Sequence, residues 1–136
     1  VGLGTDVAGG YSCSMLDAIR QSLTASVVSV MRTREQTLVE DMIAQKAPVA
    51  PLTYQEAFHL ATVGGAEVLN MENVIGNFLP GKHLDALVVD LNVEASPVDL
   101  FDFETFEEKF QKFLYLANDR NITHIFIDGR LVKTVS

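Results

Sequence analysis

Apolar residues recur along the chain with two periods, and the changes between them predict its elements. Met15, Leu16, Ile19, Leu23, Val27 and Val30 lie on one stripe at helical spacing. Ser12 and Ser14 precede it as candidate N-caps and Asp17 lies in the first turn, so an amphipathic helix is predicted. Arg20, Arg32 and Arg34 are expected in its later turns, where cations suit the dipole. The pattern weakens from Thr33 to Ala47, and Pro48 and Pro51 mark a connection. Thr53-Tyr54-Gln55-Glu56 has the form of a capping box and predicts a second helix, with Ala57, Phe58, Leu60 and Ala61 as its packing face. Gly64-Gly65 is expected to interrupt or end it before a further turn through Val68-Leu69. Leu84 to Leu91 is a near-continuous apolar run and reads as a buried strand. Thr105 to Glu108 is a second capping box, before Phe106, Phe110, Phe113, Leu114 and Ala117 at helical spacing. Ile122, Ile125 and Ile127, the type I′ turn signal Asp128-Gly129, and Leu131 to Val135 predict a closing hairpin. Val1 to Asp6 reads as a short strand running into the Gly-rich turn Ala8-Gly9-Gly10.

Composition narrows the class. The chain has 136 residues, 48% of them apolar and 21% charged, with only 4 prolines, which is a globular make-up and excludes a second full-sized domain. No apolar run approaches the roughly 18 residues a membrane span needs. Lys and Arg total 10 against 18 acidic residues, a formal charge of −8, so nucleic-acid and anionic-membrane surfaces are not expected. A small molecule or a protein is the expected partner. The single cysteine, Cys13, allows no internal disulfide and no CxxC zinc site, which fits a reducing compartment. No secretory signal is expected from the opening VGLGTD.

Few residues could carry chemistry. Asp6, at the end of a short strand before a Gly-rich turn into a helix, stands where α/β barrels place catalytic groups and could serve as metal ligand or general base. An Asp in that setting can equally be a turn former or a helix cap. His59, His83 and His124 form no HxH or HExxH spacing and read as surface or satisfied core histidines. Cys13 has no histidine near it in sequence and reads as a buried small hydrophobe. Gly2-x-Gly4 and Gly64-Gly65 are too incomplete for a phosphate loop. The stripe Phe103, Phe106, Phe110, Phe113 reads as core or a dimer face rather than a base-stacking platform.

Longer strings add a resemblance. Ile75 to Asp90, read as IGNFLPGKHLDALVVD, resembles the IGxxxxGKxADLVVxD stretch of the metal-dependent amidohydrolases. Ile125 to Val132 is similar to that superfamily's terminal VxVDGxxV hairpin. Within the superfamily, Gly2 to Ser12, Ser14 to Arg20, Ser96 to Phe101 and Lys112 to Ile122 resemble the guanine deaminase family, over almost all of this chain.

That resemblance implies an α/β fold: the C-terminal part of a TIM-type (β/α)8 barrel with strands of an adjoining small β-sandwich. The last barrel strand and following helices would occupy residues 1–74, a β-sandwich strand 75–95, an acidic loop and a helix packing back on the barrel 96–121, and the terminal hairpin 122–136. It also implies hydrolysis of guanine to xanthine and ammonia at one zinc ion, with Asp6 as metal ligand and proton acceptor. The other ligands would lie upstream, because such a barrel takes about 250 residues and catalytic zinc about three protein ligands. The segment alone is therefore expected to be inactive. The parent would be a cytoplasmic homodimer. Another amidohydrolase deaminase is the alternative enzyme. A noncatalytic interaction module is the alternative from another class, on the expectation that an isolated piece exposes faces such as Leu16, Ile19 and Leu23.

Overall fold

The structure, a computed structural model, describes residues 1–40 and 50–134, and the side chains of all of these except 34–40. In chain order it forms α1 (Met15–Glu40), α2 (Tyr54–Ala61), α3 (Val63–Val68), β1 (Ala86–Val89), α4 (Phe106–Leu116), a 3-10 turn (Asp119–Asn121), β2 (Ile122–Ile127) and β3 (Arg130–Thr134). The class is α/β, as expected. Pro48 and Val135 lie outside the described residues.

Local chemistry sets the helix starts. Thr53 and Thr105 each receive the backbone N–H of the residue three on, Glu56 and Glu108, and each glutamate reaches back to its threonine's N–H. Both capping boxes therefore form. Ser14 Oγ accepts the Asp17 N–H at 3.4 Å at the head of α1. That helix runs unbroken to Glu40, so Arg20 sits in its second turn rather than late in it. The Arg20 guanidinium serves another helix: Nε donates to Leu114 O at 2.8 Å and Nη2 to Ala117 O, satisfying carbonyls at the C-terminal end of α4.

The break after α2 falls at Thr62 (φ −123°, ψ −90°), whose hydroxyl donates back to Phe58 O at 2.9 Å. Gly64 and Gly65 lie inside α3 and serve close approach instead. A Cβ on Gly64 would stand 2.6 Å from Val1 O, and one on Gly2 2.9 Å from Gly65 Cα. Two stretches of backbone thus meet where side chains would hold them apart.

Residues 1–6 are not a strand. Leu3 N–H donates to Leu60 O at 2.9 Å, and the nearby ladder contact is an isolated Val7–Gly10 bridge. Extended backbone becomes a strand only beside a partner strand, and among the described residues none lies next to it. The three strands form one antiparallel sheet in the order β1-β2-β3. Ala86 faces Phe126 and Val89 faces Ile122, with one extra residue on β2 between them, while Asp128 (φ 51°) and Gly129 (φ 72°) close the β2–β3 hairpin as a type I′ turn. β1 is shorter than the apolar run that predicted it and is not buried, since Leu87 and Val88 are exposed.

The core joins α1, α2 and α4: Leu16, Ile19 and Leu23 pack with Ala57, Val98, Phe113, Leu114 and Ala117. Leu114 is fully buried, a contribution of about 1.5–3 kcal/mol. The Leu16/Ile19/Leu23 face expected to be open is therefore covered by this chain's own helices. Val27, Val28 and Met31, farther along α1, are exposed. Of the phenylalanine stripe, Phe113 is buried and Phe110 packs against the core, whereas Phe103 and Phe106 face solvent.

Candidate functional site

Asp6 sits on a turn held at both stems. On the entering side Leu3 is pinned to α2 through Leu60 O. On the leaving side Ser12 Oγ donates to Asp17 Oδ2 at 2.6 Å and accepts the Ser14 N–H at 3.1 Å. Tyr11 OH receives Gln21 Nε2 at 3.0 Å. Between these stems the chain folds tightly, with Gly10 N–H donating to Asp6 O. Asp6 (φ 48°) and Ala8 (φ 105°) both take left-handed backbone, and such residues persist where their surroundings hold them. Gly9 leaves room for the carboxylate, because a Cβ there would stand 2.6 Å from Asp6 Oδ2.

The Asp6 carboxylate is exposed and accepts no hydrogen bond from the described residues. It is a free oxygen donor on a constrained turn. Beside the turn lies an open depression of about 270 Å³, walled by Thr5, Gly10, Tyr11 and Ser12 on one side and Ala18 and Ser22 of α1 on the other.

The other candidates are not gathered around Asp6. His59 is exposed on α2, and His124 lies on β2 with Nδ1 3.1 Å from Thr123 Oγ1. His83 stands 2.6 Å from Asp128 at the hairpin turn. Cys13 is exposed ahead of α1 rather than buried, because the helix starts two residues later and leaves it outside the packed face. Among the described residues no group of three His, Cys, Asp or Glu side chains could hold a metal ion. A catalytic zinc takes about three protein ligands, so these residues do not fit one by themselves.

Displaced pKa values belong to the scaffold. Glu56 and Glu108 lie below the ordinary carboxylate range because the backbone N–H and hydroxyl of their capping threonines bind the ionised form. Glu104 is lowered by Lys112 and then by the Phe101 N–H, and its side chain is only 6% exposed. Tyr54 is raised, first by donating to Glu107 and then by burial. Sequence reasoning missed the tie between Arg20 and α4, whose partners lie 94 and 97 residues away and leave no local pattern.

Known proteins resemble this chain in sequence and, for one solved structure, in fold. A guanine deaminase of Mus musculus is 44% identical over 140 residues, covering 100% of this chain and 28% of that protein. One of Dictyostelium discoideum is 43% identical over 133 residues, covering 98% of this chain and 27% of its own length. The solved Escherichia coli guanine deaminase superposes with a TM-score of 0.74 at 29% identity, covering 100% of this chain and 28% of that one. The chain thus spans little more than a quarter of the relatives it matches. Residues 1–132 match the amidohydrolase family, Asp6 and its turn included, and the chain belongs to that family.

Proposed function

We propose that the chain is a C-terminal segment of a guanine deaminase, which hydrolyses guanine to xanthine and ammonia. The observation that carries this is the likeness to guanine deaminases at 43–44% identity over 98–100% of the chain. Residues 1–74 would carry the last barrel strand and its helices, 75–95 and 122–136 the strands of a small β-sandwich, and 96–121 an acidic loop and a returning helix. Pairing of β1 with β2, and packing of α4 on α1, support that division. The full enzyme would be a cytoplasmic homodimer.

Asp6 would have two tasks, giving one carboxylate oxygen to a zinc ion and taking the proton released as water attacks the purine carbon that bears the amino group. Zinc, once the remaining ligands are supplied from outside this chain, would provide Lewis acidity and a more acidic water. The free carboxylate and the tightly held turn suit Asp6 to both tasks. In the full-length enzyme carrying this segment, Asp6→Asn is expected to lower kcat for guanine by about 100-fold or more while the melting temperature holds. Turnover near that of the parent would overturn the assignment. The purified 136-residue chain is expected to bind no stoichiometric zinc and to make no xanthine, and finding both would overturn the reliance on residues outside it. Faster turnover of another aminopurine or of a pyrimidine than of guanine would point to a different amidohydrolase deaminase.

A further inference from the structure

We infer that Ser12, Asp17 and Arg20 form a positioning relay that holds the Asp6 turn through the C-terminal end of α4; its catalytic consequence rests on the deaminase function proposed above. The Asp6 carboxylate accepts no hydrogen bond from the described residues, so its aim is set by the backbone of the turn alone. That backbone holds Asp6 at φ 48° and Ala8 at φ 105°, conformations that relax when the stems loosen. The entering stem is fixed by the Leu3 N–H to Leu60 O bond, by Leu3 packing on the core, and by the close approach of Val1 and Gly2 to Gly64 and Gly65. The leaving stem is fixed through side chains.

Asp17 divides its two oxygens between partners. Oδ2 takes the Ser12 hydroxyl at 2.6 Å, and Oδ1 takes Arg20 Nη1 at 3.0 Å. Arg20 spends its other donors on Leu114 O, 2.8 Å from Nε, and on Ala117 O. A planar guanidinium bonded on three sides is fixed in orientation, so it holds the Asp17 carboxylate and thereby Ser12. The Ser12–Asp17 bond is charge-assisted and short, the strong kind. The relay begins two residues from Gly10, whose N–H closes the Asp6 turn, and ends on carbonyls 94 and 97 residues from Arg20. Its members act on Asp6 through the backbone of the turn, which makes them positioning residues.

The test uses the full-length enzyme carrying this segment. Ser12→Ala is expected to lower kcat for guanine by about 10-fold or more, because a loosened stem lets the turn carrying Asp6 shift and small misplacements of a reacting group cost that much, with KM little changed. Ser12→Thr, which keeps the hydroxyl, is expected to restore most of kcat. Arg20→Lys offers a compact charge in place of the three-sided fork and is expected to fall between Ser12→Ala and the parent. A second readout does not depend on turnover: hydrogen exchange at the Gly10 amide is expected to speed up by about 10-fold in Ser12→Ala at an unchanged melting temperature. Unchanged exchange, or a loss of kcat that follows the melting temperature and is not restored by threonine, overturns the relay. Faster Gly10 exchange in an enzyme that does not deaminate guanine keeps the relay and overturns the deaminase function instead.

Discussion

Asn121 is the one buried polar side chain among the described core residues, and changing its amide to a carboxylate tests how sheet and helices are joined. Its Nδ2 donates to Asp90 O and to Ser96 Oγ, each at 3.0 Å, and its Oδ1 accepts the Asn118 N–H at 3.1 Å. The Asn121 carbonyl also receives the Asp90 N–H at 2.9 Å. One residue thus ties the strand end at Asp90, the loop at Ser96 and the 3-10 turn. Asn121→Asp keeps the shape and removes both donors. Two lost hydrogen bonds cost about 1 kcal/mol each. An unpaired charge in a fully buried position costs about 3–5 kcal/mol, relieved in part because Ser96 can turn its hydroxyl round to donate. The net expectation is a loss of about 3–5 kcal/mol near neutral pH, or roughly 10–15 °C in melting temperature for a chain of this size.

The pH dependence separates charge from shape. Burial and the Asp90 carbonyl facing it raise the introduced carboxyl's pKa above its unfolded value of about 3.9, outweighing the Asn118 N–H, so the folded state holds its proton more tightly. A raised folded pKa means the deficit relative to the parent is smallest below about pH 3.9 and opens as pH rises, by at most about 1.4 kcal/mol per pH unit, until the folded pKa is reached. Urea unfolding of parent and variant, followed by circular dichroism across the acid to neutral range, measures this difference and cancels carboxylates common to both. A variant within about 1 kcal/mol of the parent at neutral pH, or a deficit that does not change with pH, would refute the reasoning.

Two further predictions concern the turn and the scaffold. Gly9→Ala places a Cβ where the Asp6 carboxylate lies, and is expected to lower guanine turnover of the full-length enzyme by about 10-fold with little change in melting temperature; parent-like kinetics would show that the carboxylate can shift without consequence. Glu56, Glu104 and Glu108 have lowered folded pKa values, so their stabilisation is complete above the unfolded carboxylate range of about 4.3 and is lost as pH falls through the lower folded values. Urea midpoints should decline in that acid window, and Glu108→Gln should flatten the decline; an unchanged acid slope in that variant would remove the capping box as its cause.

What the sequence revealed divides by range. The capping boxes at Thr53 and Thr105 and the type I′ turn at Asp128-Gly129 were legible because each is complete within four residues: donor, acceptor and required backbone angle are all local. The helical stripe on α1 was legible through Leu23, where α2 and α4 cover that face, and again at the buried Val30, and it failed at Val27, which is exposed. Gly64-Gly65 misled because a glycine pair marks either a helix end or a close approach. Only the position of Val1 and Gly2 in space decides between them. Cys13 was misjudged by two residues of helix. Its burial depended on where α1 begins, and Ser14 sets that point by capping Asp17.

The site divides the same way. Asp6 was visible as an acid before a Gly-rich turn, but its free carboxylate and positive φ follow from stems pinned to Leu60 and, through Asp17 and Arg20, to α4. The amidohydrolase match contains that turn, and the chain spans little more than a quarter of the relatives it matches. The turn therefore has two sets of constraints: one within this chain, which fixes where the carboxylate is held, and one outside it, which would fix what the carboxylate meets. Substitutions at Ser12, Gly9 and Arg20 act on the first set and leave every residue of the second intact. A loss of turnover at any of the three, with the fold preserved, would come from a shift in where Asp6 is held, which small misplacements of a reacting group make costly.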